Sequence, residues 1–108
     1  MTDLADRTCA PLPPGTPALD ADAVRDYLAR LPGWSVAADG KAIAKTYAFR
    51  NFYETMSFVN AAAHVANTQD HHPDLAVSYN KCTVRYNTHT VGGVSENDVI
   101  CAAKLERL

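Results

Sequence analysis

The 108-residue chain has little cysteine. Cys9, Cys82 and Cys101 are far apart and odd in number, with no CxxC spacing, which excludes a zinc ribbon or a disulfide framework. Free thiols in a reducing compartment, two of them serving as small buried apolar residues, are the plain reading. Charge of one sign is also missing. Ten Lys+Arg stand against twelve Asp+Glu, so nothing electrostatic points to nucleic acid or an anionic membrane surface as partner. The N-terminus shows no basic stretch leading into an apolar run, as a secretory signal would. No apolar run approaches the ~20 residues that cross a bilayer. Together these absences suggest a cytoplasmic protein.

What is present is ordinary globular composition, 47% apolar and 20% charged. The length implies one domain, small enough that subunit association would help its stability. Four of the six prolines lie within residues 1–18, at Pro11, Pro13, Pro14 and Pro17. That segment reads as a loose, extended arm, leaving 19–108 as the folded domain.

Asp20 predicts an N-cap for a first helix whose apolar face is Val24, Tyr27, Leu28 and Leu31, stopped at Pro32-Gly33. Two strands follow, Trp34–Val36 and Ala42–Phe49, with Asp39-Gly40 as the turn and Lys45 interrupting the apolar alternation. A long helix is expected over Phe52–Thr68, with Phe52, Met56, Val59, Ala63 and Ala66 as its buried stripe, widened by Phe58, Ala62 and Val65. Leu75, Val77 and Tyr79 alternate as a third strand. After a turn at Asn80-Lys81, Cys82, Val84 and Tyr86 alternate as a fourth that runs on to His89. Ser95 and Asp98 approximate a capping box for a last helix with Cys101, Leu105 and Leu108 on its apolar face. The order α-β-β-α-β-β-α with two hairpins predicts an α+β fold, a largely antiparallel sheet with helices over one face.

Histidine supplies the candidate chemistry. The segment Asp70-His71-His72-Pro73-Asp74 falls between a helix and a strand, and His89 lies further along. Imidazoles exchange protons near neutral pH, so three converging on one pocket could provide an acid, a base and a positioning donor. A polar surface loop would carry the same residues, and imidazole also suits zinc, copper and iron, although HExxH and cysteine ligand spacing are both absent. His64, mid-helix and off the stripe, reads as a structural residue.

The spacing of these residues resembles the pterin-4a-carbinolamine dehydratase family. His71-His72-Pro73 is followed after five residues by Tyr79, after nine more by His89 and after eight more by Asp98. Leu31-Pro32-Gly33-Trp34, Tyr79-Asn80-Lys81, Thr88-His89 and Gly92-Gly93 also look like family sequence, and the likeness runs over about residues 20–108. One position departs. Asn67 stands where the family has a charged residue, and it can hydrogen-bond without supplying charge.

The resemblance implies a four-stranded antiparallel sheet with three helices on one face, assembling into homodimers or homotetramers. It implies dehydration of 4a-hydroxytetrahydropterin to quinonoid dihydropterin, in the service of an aromatic amino acid hydroxylase, with pterin as substrate and neither metal nor organic cofactor. His71, His72 and His89 would be catalytic, with His72 weighted most for acid–base work. Asp70, Pro73, Tyr79, Thr88 and Asp98 would bind substrate or support the cluster. A non-catalytic role is the alternative, since relatives of this fold serve as a transcriptional cofactor or assist Rubisco assembly.

Overall fold

A computed structural model describes residues 3–108. The elements are α1 (Ala21–Leu28), β1 (Ser35–Val36), β2 (Ile43–Ala48), α2 (Phe52–Gln69), β3 (Asp74–Val77), β4 (Lys81–Tyr86) and α3 (Glu96–Leu105). Short 3-10 turns lie at Leu4–Asp6 and His89–Val91. The four strands form one antiparallel sheet in the order β1-β2-β4-β3, with both expected hairpins present and β2 paired to β4 between them.

Local chemistry sets the boundaries. Asp20 caps α1 by accepting from Ala23 N at 2.8 Å. Asn51 does the same for α2 through Glu54 N at 2.9 Å, and Ser95 and Asp98 form a true capping box on α3. Gly40, at φ 72°, closes the β1–β2 turn while Lys41 N donates to Asp39 Oδ1.

Register places Ile43, Lys45 and Tyr47 opposite Tyr86, Val84 and Cys82, so all six share one sheet face. The helices cover that face. Val24, Phe58, Ala62, Val99, Cys101 and Leu105 share a core with Ile43, Cys82, Val84 and Tyr86. Lys45, which breaks the apolar alternation, does face this side. Its ammonium donates to Pro32 O at 2.8 Å and to both Glu106 carboxylate oxygens, and the Tyr47 hydroxyl binds the same carboxylate. A paired charge at the rim is thereby tolerated.

Five details differ from the sequence-based reading. The buried stripe of α2 is Thr55, Phe58, Ala62 and Ala66, while Phe52 and Ala63 are exposed. Thr55 can be buried because its hydroxyl bonds Asn51 O and Tyr79 O, both at 2.9 Å. β3 is an edge strand beyond the full cover of the helices, so Val77 and Tyr79 are exposed. β4 stops at Tyr86, because Thr88 pairs with Gly93 in a short closed loop (Thr88 N to Gly93 O, 2.8 Å), leaving His89 on a 3-10 turn. Leu108 lies past the end of α3 and is exposed.

The fifth concerns the N-terminal segment, which does not hang loose. Leu4 is buried in the core. Lys104 Nζ donates to Ala5 O, Arg107 pairs with Asp6, and Asn97 exchanges two hydrogen bonds with the backbone of Ala10. Residues 3–10 therefore run along α3, while Pro11, Pro13, Pro14 and Pro17 stay exposed.

Asp70 ends α2 at φ 50°, the one non-glycine residue with positive φ among the described residues. A short polar side chain tolerates this left-handed turn, which swings the chain from α2 into the His71-His72-Pro73 segment. Asp70→Val is expected to cost about 1–2 kcal/mol, and Asp70→Gly to stay within about 0.5 kcal/mol of the parent, as read from thermal melts.

Candidate active site

His71 lies where the turn after α2 meets the start of α3. Its backbone N–H donates to Ala66 O at 3.1 Å, which fixes the turn. Its Nε2 is 2.5 Å from Asp98 Oδ1, a short charge-assisted contact with a carboxylate that is wholly buried. The other carboxylate oxygen, Oδ2, accepts from Thr88 Oγ1 and from Ser95 N, each at 2.8 Å. Thr88 Oγ1 in turn shares a 2.6 Å hydrogen bond with Ser95 Oγ. One carboxylate thus caps α3 and orients the imidazole.

Burial disfavours charge on the His71 ring. The Asp98 carboxylate more than offsets that, by hydrogen bond and by charge, and holds the His71 pKa above its ordinary value. The ring also stacks on Tyr86, centroids 5.3 Å apart and planes 18° from parallel, and the Tyr86 hydroxyl donates to His71 O at 3.1 Å. Tyr86 is fully buried. It therefore serves as the floor of the site, a role that the sequence reading did not assign. Its position on the buried parity of β4, opposite the turn that carries the histidines, is the signal that could have revealed it.

His72 points differently. It is exposed, and its Nε2 lies 3.0 Å from Asn67 Oδ1 on the last turn of α2. An amide oxygen accepts, so Nε2 is the donor in this contact and Nδ1 lies outside it. Asn67 thus holds His72 as a neutral acceptor can. Pro73 follows and restricts the backbone at His72.

His89 is exposed on its 3-10 turn, directly after Thr88 in the chain. Thr88 is bonded to Asp98 and Asp98 to His71, so the chain neighbours of His72 and His89 belong to one hydrogen-bonded unit. Tyr79 does not join them. It is 64% exposed in the β3–β4 connection, past the end of β3 that lies away from His72. His64 is exposed on α2. Among the described residues, no group of three or more His, Cys, Asp or Glu side chains is arranged to hold a metal ion.

A half-buried imidazole held by a wholly buried carboxylate, with a second, exposed histidine next in the chain, is an arrangement that can give and take protons at the surface of a small α+β domain. The particular family follows from comparison with known proteins. The family profile described as pterin 4 alpha carbinolamine dehydratase matches residues 17–108, and the chain belongs to that family. A relative from Nitrosospira multiformis, provisionally named a pterin-4-alpha-carbinolamine dehydratase, is 47% identical over 108 residues, all of this chain and 94% of its own length. Another from Nitrosomonas eutropha with the same provisional name is 50% identical, covering all of this chain and 95% of its own.

Among solved structures, one described as a transcriptional coactivator/pterin dehydratase from Brucella melitensis superposes with a TM-score of 0.80 at 31% identity, over 83% of this chain and 96% of its own. A pterin dehydratase-like protein described as a RuBisCO assembly factor in the alpha-carboxysome gives a TM-score of 0.61 at 18% identity, over 69% and 87%. At that identity the likeness is one of fold alone. No helix of the chain, among the described residues, is long and apolar enough to cross a membrane.

Proposed function

We propose that the protein dehydrates 4a-hydroxytetrahydropterin to quinonoid dihydropterin by proton transfer between its histidines and the substrate, recycling the pterin of an aromatic amino acid hydroxylase. The observation that carries this reading is the His71–Asp98 pair with His72 beside it. The reaction breaks the C4a–O bond, removes the N5 proton and forms the N5=C4a double bond. The hydroxyl leaves as water once it has gained a proton. Two groups of opposite role suffice, and the chemistry requires neither metal nor organic cofactor.

The two adjacent imidazoles supply those roles. His71, favoured in its charged form by Asp98, is the acid that protonates the departing hydroxyl. Its Nε2 is engaged, so Nδ1 is the edge left for the substrate. His72, whose Nδ1 edge lies outside the Asn67 contact, is the base for the N5 proton. His89, exposed beside Thr88, contributes a wall and a hydrogen-bonding edge for the polar pterin ring. Asp70 shapes the turn, and Asp98 and Thr88 keep His71 in place. Exposed Phe52, Tyr53, Val77 and Tyr79 support association with further copies of the chain, and Tyr79 would meet a pterin only across such a contact.

Asn67→Asp tests the base. A carboxylate 3 Å or so from His72 would favour the imidazolium, so the acidic limb of the pH–rate profile is expected to move to higher pH. An unmoved limb would remove His72 from the base role. The reading as a whole is tested by following the decay of freshly generated 4a-hydroxytetrahydropterin with and without the protein. If turnover is absent and one protein partner co-purifies stoichiometrically, the non-catalytic alternative holds instead.

A further inference from the structure

Two of the three cysteines meet in space although 92 positions separate them. Cys9 Sγ lies 3.5 Å from Cys101 Sγ. Cys9 is half-buried and belongs to the N-terminal segment, whereas Cys101 is fully buried on α3, one turn beyond Asp98. Several contacts hold Cys9 in place. Its backbone N–H donates to Gln69 Oε1 at 2.9 Å, its thiol faces Asn97 O at 3.5 Å, and the neighbouring Ala10 is held by both ends of the Asn97 amide. Cys82, by contrast, is buried on β4.

We propose that Cys9 and Cys101 are a redox-active dithiol, oxidised by a low-molecular-weight disulfide to an intramolecular bond that clamps the N-terminal segment onto α3 beside the His71–Asp98 pair. The two thiols have different environments suited to the two halves of the exchange. The hydrogen bond from Cys101 lowers the Cys9 pKa, burial opposes this, and the His71 charge adds to the lowering. The same sulfur–sulfur contact, together with burial, raises that of Cys101. Cys9 is half-buried and Cys101 fully buried, so an incoming disulfide reaches Cys9 first, which makes Cys9 the attacking thiolate and Cys101 the resolving thiol.

The steps balance. The Cys9 thiolate attacks one sulfur of the disulfide RSSR, the S–S bond breaks, and one thiolate leaves and takes up a proton. Cys101 then gives up its proton as its sulfur attacks Cys9 Sγ in the mixed disulfide. The second thiolate departs as RSH with that proton. The protein loses two hydrogens and RSSR is reduced to two RSH. The sulfurs must close to about 2.05 Å, and Cys9, outside any regular element, supplies that movement more readily than α3. The resulting loop spans most of the chain, the case in which a cross-link constrains the unfolded state most. The clamp stands independently of the pterin chemistry.

The test equilibrates the full chain in buffers of reduced and oxidised glutathione, quenches with acid, and alkylates free thiols after denaturation for peptide mass spectrometry. The expected product is a Cys9–Cys101 cross-linked peptide within one chain, with Cys82 still alkylated. The oxidised protein should melt several degrees higher than the reduced one. Cys9→Ser should abolish both the cross-link and the shift while keeping the fold, because Cys9 is only half-buried. Retention of glutathione on Cys9 with Cys101 still alkylated overturns the proposal, as does a Cys9 bond between two chains.

Discussion

Replacing His72 by alanine should slow turnover of 4a-hydroxytetrahydropterin by roughly 10²- to 10⁴-fold, the usual contribution of one positioned acid–base group. The fold should hardly notice. The His72 side chain is exposed and its one hydrogen bond is to the Asn67 amide at 3.0 Å, so the melting free energy should stay within about 0.5 kcal/mol of the parent. That separation of effects makes the variant informative. Steady-state rates beside thermal melts check it. A variant that melts as the parent does and turns over at the parent's rate would take proton transfer away from His72.

Asp98→Ala should have the opposite signature, a large loss of stability. Asp98 is wholly buried and accepts from His71 Nε2, Thr88 Oγ1 and the Ser95 backbone. Truncation strands those donors and removes half of the capping box on α3. The expected cost is about 3 kcal/mol, measured by denaturant or thermal unfolding.

The milder Asp98→Asn isolates the charge. In the parent, the folded His71 pKa lies above its unfolded value. The stability this contributes is fully present below the unfolded pKa of about 6.5 and is lost as pH rises through the raised folded value. Asp98→Asn should flatten that part of the stability–pH curve. A variant curve parallel to the parent's would show that Asp98 does not hold the proton on His71.

Much of the fold could be read from local chemistry. Asp20, Ser95 and Asp98 are caps whose partners are three residues away, so sequence reveals them. Strict alternation at Cys82, Val84 and Tyr86 reveals a half-buried strand. Several features that local chemistry leaves open depend on distant partners. Lys45 can face the helices because Glu106, at the other end of the chain, neutralises it. Thr55 can be buried because the Tyr79 carbonyl accepts its hydroxyl proton, and this turns α2 away from the stripe that hydrophobicity alone predicts. Leu4 and Ala5 are tied down by α3, which no local feature of a proline-rich segment announces.

The site divides in the same way. The adjacency of His71, His72 and Pro73 and the spacing to His89 and Asp98 are visible in the sequence. The dual task of Asp98 was expected in part, as a cap that could also orient a histidine, and the geometry joins both in one carboxylate. Tyr86 beneath His71 and Cys9 beside Cys101 are visible only once strand register and the path of the N-terminal segment are known.

The most direct measurement of the central claim is the decay rate of freshly generated 4a-hydroxytetrahydropterin, followed by absorbance with the folded protein present and absent. The account predicts decay that accelerates in proportion to protein concentration and falls back toward the buffer rate with His72→Ala. A folded parent protein that leaves the buffer rate unchanged would contradict it.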